Sequence, residues 1–244
     1  MFEILFLCLI AYLGGMIQGL TGFGVMLVAL PLMAIIINIK TAIPLILLLG
    51  LVMNVILICQ LARHVHTKNW LPLLIASLPG VPVGVYILKT VDERWLEMLV
   101  GGVIIGTVVV ILRHGPSKVE LNKYWTFFAG FSSGLLGASI GAAGPPVIVY
   151  TAMQPWSKYQ IKATLVAFFC ISGVLILALQ FFSNLITSEV VHLFIYCIVP
   201  LLLGVFTGHR LFDRIKQKLY NRAIYILLFI LGVIMLLKGV VNFG

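Results

Sequence analysis

Read for charge alone, the chain falls into eight long stretches without Asp, Glu, Lys or Arg: 4–39, 41–62, 69–88, 98–112, 124–157, 163–188, 190–208 and 223–237. A helix that spans a hydrocarbon core of about 30 Å needs roughly 20 apolar residues. Six of the stretches predict single helices of that kind. The two short ones, 98–112 and 223–237, borrow flanking residues, whose long cationic side chains reach the interface. The first and fifth stretches do not fit. They run to 36 and 34 residues, and either as one straight helix would be about 50 Å long or more. Each is interrupted by glycine: Gly14, Gly15, Gly19, Gly22 and Gly24 in the first; Gly130, Gly134, Gly137, Gly141 and Gly144 in the fifth, followed by Pro145 and Pro146. Broken at these glycines, each yields half-segments of about 10–15 residues, a length that suits a helix that dips into the membrane and returns.

The two broken stretches share a spacing. Gly15, Gly19, Gly22 and Pro31 recur as Gly130, Gly134, Gly137 and Pro146, each 115 positions later. Three simple apolar stretches follow each copy. The chain therefore reads as an all-α polytopic membrane protein of two repeats, 1–117 and 118–244, together one transmembrane domain. Each repeat holds a Gly-broken re-entrant hairpin and three transmembrane helices. An odd number of crossings per repeat turns the second upside down relative to the first, the inverted-repeat plan of many secondary transporters.

Charge supports this topology. If both broken stretches are hairpins, the loops at 63–69, 113–123, 158–162 and 208–222 share one face and hold 12 of the 16 Lys and Arg residues. The other face keeps Lys40, Lys89, Arg94 and Lys238. By the positive-inside rule the richer face is cytoplasmic, which places both termini outside the cytoplasm. Composition agrees: 62% of residues are hydrophobic and 9% charged, against about 45–50% and about 25% in soluble domains. The net charge of +9 belongs to the loops, so the expected partner is the lipid bilayer and not nucleic acid. Gly80-x3-Gly84, Gly102-x3-Gly106 and Gly204-x3-Gly208 are small-residue faces that could serve a homodimer.

No acidic residue is expected deep in a span, which argues against a carboxylate-gated proton pump. No clustered His, Asp or Glu suggests a metal, and no cofactor is implied. Gly137-Ala138-Ser139-Ile140-Gly141 matches the nucleophile-elbow spacing, but the helical context and the lack of a buried His–acid pair argue against a hydrolase, so no enzyme is expected. What the pattern does offer is backbone. A glycine break opens a helix N-terminus carrying roughly half a positive charge, with amides free to bind an anion. The expected donors are Thr21, Gly22, Phe23 and Gly24 in one repeat and Ser139, Ile140, Gly141 and Ala142 in the other. Gln18, Ser132 and Ser133 could add side-chain donors, and Asn54 and Ser172 could line the cavity.

The stretch Gly15-Met16-Ile17-Gln18-Gly19-Leu20-Thr21-Gly22-Phe23-Gly24, with Pro31 beyond it, resembles the Gly-rich first segment of the TauE/SafE family. Gly130 to Pro146 resembles the matching segment of that family's second half. The resemblance covers nearly the whole chain in length, repeat and helix order. The three consecutive glycines common in that family are replaced here by Gly22-Phe23-Gly24 and Gly141-Ala142-Ala143-Gly144. The resemblance implies a membrane transporter of the bacterial cell membrane that exports a small anion, sulfite or an organosulfonate; the repeat plan adds alternating access around a midplane site between the two hairpins. A passive anion channel and a non-transporting assembly factor fit the same pattern.

Overall fold

The computed structural model describes residues 2–21, 25–113, 122–212 and 217–241. Among them, all regular structure is helical. The elements are α1 (Phe2–Thr21), α2 (Val25–Ile36), α3 (Ile39–Leu61), α4 (Thr67–Ser77), α5 (Gly80–Thr90), α6 (Glu93–Arg113), α7 (Lys123–Ile140), α8 (Gly144–Met153), α9 (Lys158–Phe182), α10 (Ser188–Phe212) and α11 (Gln217–Val241). A 3-10 turn at Ala62–His64 leads from α3 towards α4. Among the described residues three helices, α3, α9 and α10, are long and apolar enough to cross a membrane alone.

The stretch 69–88, expected as one helix, is two. α4 and α5 meet at an angle of 47° and together make a fourth candidate span. Pro79 and Pro82 supply no N–H to the helical ladder, and proline is the usual cause of so sharp a bend.

The fifth stretch breaks at Gly141, one of the glycines expected to break it, while those before it stay helical. Gly14, Gly15 and Gly19 lie inside α1, and Gly130, Gly134 and Gly137 inside α7. The interruption of the fifth stretch comes later, at 141–143, and Gly22 and Gly24 lie outside the described residues. The pieces are correspondingly unequal, 20 and 12 residues for α1 and α2, 18 and 10 for α7 and α8.

The helical glycines act through packing. A missing Cβ lets two helix backbones approach closely. The chain divides into two compact units. In the first (Met1–Leu49, Val91–Val109, Leu185–Gly244) α1 lies along α10, with Gly15 against the carbonyl of Leu201, Gly204 against that of Tyr12 and Gly208 against that of Met16. α6 meets α11 in the same manner: a Cβ on Gly101 would stand 2.7 Å from the Gly232 oxygen, and one on Gly239 2.8 Å from the Arg94 oxygen. In the second unit (Gly50–Thr90, Val110–Asn184) α7 lies along α4 and α5. There Gly130 faces the carbonyl of Leu73, and Gly80 that of Phe131. A core of Leu73, Ala129, Val147, Tyr150, Leu165 and Phe168 fills the space between α4, α7, α8 and α9.

The two seams match position by position. Gly15 and Gly130 are 115 apart, as are Met16 and Phe131; Leu73 and Leu201 are 128 apart, as are Gly80 and Gly208. Pro72 in α4 and Pro200 in α10 share the second offset. Neither unit is a contiguous half of the sequence. In each, the opening helix of one half packs on the third apolar stretch of the other.

These seams also narrow the small-residue faces available to a second copy. Gly80, Gly84, Gly204 and Gly208 are covered within the chain, whereas a Cβ on Gly102 or Gly106 would meet none of the described residues within 4 Å.

Candidate functional site: the break between α7 and α8

α7 ends in a left-handed turn at Gly141, with φ 69° and ψ 1°. Glycine adopts this conformation without the Cβ clash that other residues incur. The Gly141 N–H donates to the Gly137 oxygen and the Ala142 N–H to the Leu136 oxygen, both at 3.1 Å; the first is the bond of an αL cap, which closes the helix. Two residues later Gly144, Pro145 and Pro146 open α8, with proline at its first positions. Proline is preorganised for a helical first turn.

α8 then runs back along α7. The Ser133 hydroxyl donates to the Ala143 oxygen, and a Cβ on Gly137 would stand 2.7 Å from the Ala143 methyl. Seven residues earlier on α7 and seven later on α8, Thr126 Oγ1 and Tyr150 OH are hydrogen-bonded at 2.8 Å. Steps of equal length in opposite directions define an antiparallel helical hairpin. Gly141→Ala should destabilise it by about 1–2 kcal/mol, the usual penalty of an alanine held left-handed. Thermal unfolding in detergent micelles measures this.

The hairpin reassigns the expected donors. Ser139 and Ile140 sit in the last turn of α7, so their amides face back into that helix. Gly141 and Ala142 bond to the cap, and Pro145 and Pro146 have no N–H. The backbone amides left at the mouth of α8 are those of Ala143 and Gly144. The hydroxyls are likewise engaged: Ser139 donates to the Leu135 oxygen and Ser172 to the Phe168 oxygen, each at 2.7 Å. Such back-bonding is the common state of serine within helices. Each hydroxyl keeps its lone pairs, and it must rotate away from its carbonyl before it can donate to an anion.

Ser133, Ser139, Ile140, Gly141 and Ala142 thus come together at one break, all buried. Ser132 stands beside them on α7, half-buried. Ser172 on α9 and Asn54 on α3 are buried in the same compact unit. Gln18, buried on α1, and Thr21, the last residue of α1, belong to the other unit. Gly22, Phe23 and Gly24 lie outside the described residues.

Two polar features are added by the structure. Gln180 on α9 is fully buried, and its Nε2 donates to the Ala138 oxygen beside the break at 3.4 Å. Its signal in the sequence is periodic: Thr164, Ser172 and Gln180 follow one another at intervals of eight, two four-residue steps along one helical ridge. The second feature is an ion pair at the start of α6. Glu97, placed near a loop by the charge pattern, is only 2% exposed. Its carboxylate pairs with Lys238 Nζ at 2.6 Å, and Lys238 also donates to the Ala34 oxygen in the last turn of α2. A cation at a helix C-terminus complements the partial negative charge there. Among the described residues, no group of three His, Cys, Asp or Glu could hold a metal ion.

Apolar helices long enough to span a bilayer, and a helix hairpin whose inner break is buried, are the features of an integral membrane protein of the transporter kind. The chain matches the family Sulfite exporter TauE/SafE over residues 7–235, and it belongs to that family. It is 30% identical over 167 residues to the probable inner membrane transporter protein TsaS of Comamonas testosteroni, covering 64% of this chain and 68% of that relative. No solved structure matches it.

Proposed function

We propose that the chain is a secondary transporter that carries a small anion of the sulfite or organosulfonate class out across a bacterial inner membrane by alternating access. Sulfite follows the family description, the inner membrane and the transporter class follow the relative, and organosulfonates are added as sulfite's chemical neighbours. The observation that carries the mechanism is the α7–α8 hairpin. Interrupted backbone within a membrane is tolerated where it is enclosed by protein or lines a polar cavity, and here it leaves a helix N-terminus against Ser133 and Gly137 of α7. The partial positive charge of α8, the amides of Ala143 and Gly144 and a rotated Ser133 hydroxyl would hold the anion without a buried cation.

The proposal includes the repeats at 1–117 and 118–244, in opposite orientation, with α1–α2 as the counterpart of α7–α8. The matched seams, offset by 115 and 128 positions, support it, as does the excess of Lys and Arg on one set of loops. By the positive-inside rule that excess favours termini outside the cytoplasm.

Flux in proteoliposomes tests the reading. Saturable uptake of sulfite or methanesulfonate, accelerated by the same anion on the opposite side, is the expected result. Conductance in a planar bilayer without that acceleration would replace the carrier by a channel. No flux of either anion from a folded preparation would reject transport of this substrate class.

A further inference from the structure

Gln180 is wholly enclosed, yet only half of its amide is used. The carbonyl of Ala138 accepts hydrogen bonds and cannot donate, so the atom facing it is Nε2, and this orients the amide. The bond is long, 3.4 Å, near the limit for an N–H···O contact. Oε1 has no donor among the described residues. A leucine of similar size would fill this place without desolvating an acceptor. A buried polar atom left so requires a partner that comes and goes, or one not supplied by the chain.

The location matters as much as the unused acceptor. Gln180 ends a ridge on α9 formed by Thr164, Phe168, Ser172, Ile176 and Gln180, each at most 2% exposed. At the other end Thr164 Oγ1 is also without a partner among the described residues. The Ile176 side chain reaches within 3.3 Å of where a Gly137 Cβ would stand, and Gln180 bonds Ala138 one residue on. The ridge therefore delivers its amide to the last turn of α7, beside Ser139 and the hairpin break.

We propose that Gln180 is a ligand-binding residue whose Oε1 accepts a hydrogen bond from an O–H or N–H group entering with the transported anion. The break supplies donors to the anionic end, and Gln180 supplies an acceptor. The site therefore takes a protonated oxyanion or a sulfonate bearing a hydroxyl or ammonium group, or else an anion that arrives with a bound water. This inference rests on the transport reading above.

The test compares 2-hydroxyethanesulfonate, which carries a donor, with methanesulfonate, which carries none. Wild type, Gln180→Leu and Gln180→Met are reconstituted, and initial rates are measured alongside melting temperature in detergent. The expected result is a melting temperature equal to or above that of the wild type, with at least a tenfold lower rate for 2-hydroxyethanesulfonate. A purely structural glutamine would not give this split. If the donor belongs to the solute, the wild type prefers 2-hydroxyethanesulfonate and both variants lose the preference. If it belongs to water, both sulfonates fall together. Wild-type rates in both variants would overturn the proposal, and so would loss of the melting transition in both, which would make the side chain structural. A folded wild type that moves neither sulfonate nor sulfite would instead reject the transport reading, and this inference with it.

Discussion

Gly204→Val is expected to leave almost no folded protein in the membrane, whereas Gly102→Ala and Gly106→Ala are expected to leave it at wild-type levels. A Cβ on Gly204 would intrude on the carbonyl of Tyr12 and stand 2.9 Å from its carbon and 3.0 Å from the nitrogen of Met16. These are backbone atoms of α1, and no rotamer change relieves them. Overpacking a core by a methylene or two costs about 1–3 kcal/mol. Valine adds three carbons at a backbone contact, so a loss of about 3 kcal/mol or more is expected, a large part of the roughly 5–15 kcal/mol that holds a domain together. Gly208 and Gly15 face carbonyls in the same seam, and valine there should act alike. A Cβ on Gly102 or Gly106 would meet none of the described residues within 4 Å, and alanine in a helix interior is favoured over glycine by about 0.5–1 kcal/mol. Size-exclusion profiles of detergent-solubilised membranes, followed by thermal unfolding, separate the two groups.

The second large effect concerns Glu97 and Lys238. Lys238→Met takes the ammonium from a carboxylate that is 2% exposed and also strips the Ala34 carbonyl of its donor. Removing one member of a buried ion pair destabilises by about 3–5 kcal/mol. Glu97→Gln should cost less, about 1–3 kcal/mol, because the Lys238 side chain is 32% exposed, can hydrate and keeps Ala34. The double variant should fall short of the sum of the two, since residues in contact are not additive. Thermal unfolding of the four proteins closes the cycle, and equal losses in both single variants would contradict the stated asymmetry.

The helical class and the break at Gly141 are legible in the sequence, because charge-free length and glycine clusters report them directly. What a glycine does is not. Gly15 and Gly141 look alike in a string of letters, yet one lies mid-helix against a carbonyl of α10 and the other turns left-handed. The difference lies in a distant partner, Leu201, in the first case and in local dihedral geometry in the second. The bend at Pro79 is readable from its prolines but hidden by an otherwise continuous apolar run. At the candidate site, Ser133, Ser139 and Gly141 stand out because they border the break. The direction of their hydrogen bonds does not, since a serine in a helix can face its own carbonyl or a ligand. The burial of Glu97 is equally hidden. Asp92, Glu93 and Arg94 just before it mark a loop, but Glu97 lies in the second turn of α6, where Lys238 of α11 reaches it. Nothing local announces a partner so far along the chain.

The pairing of α1 with α10 has a consequence for synthesis. Cys8 Sγ donates to the Tyr196 oxygen across 188 residues, so the surface that receives Gly15 does not exist until most of the chain has been made. Contacts of such sequence separation are slow to form. While the ribosome works through the intervening helices, α1 must wait in lipid or against the insertion machinery with its narrow glycine edge uncovered. Two separately expressed halves, cut within 114–121, should each be proteolytically fragile and should regain protection when made together in one cell.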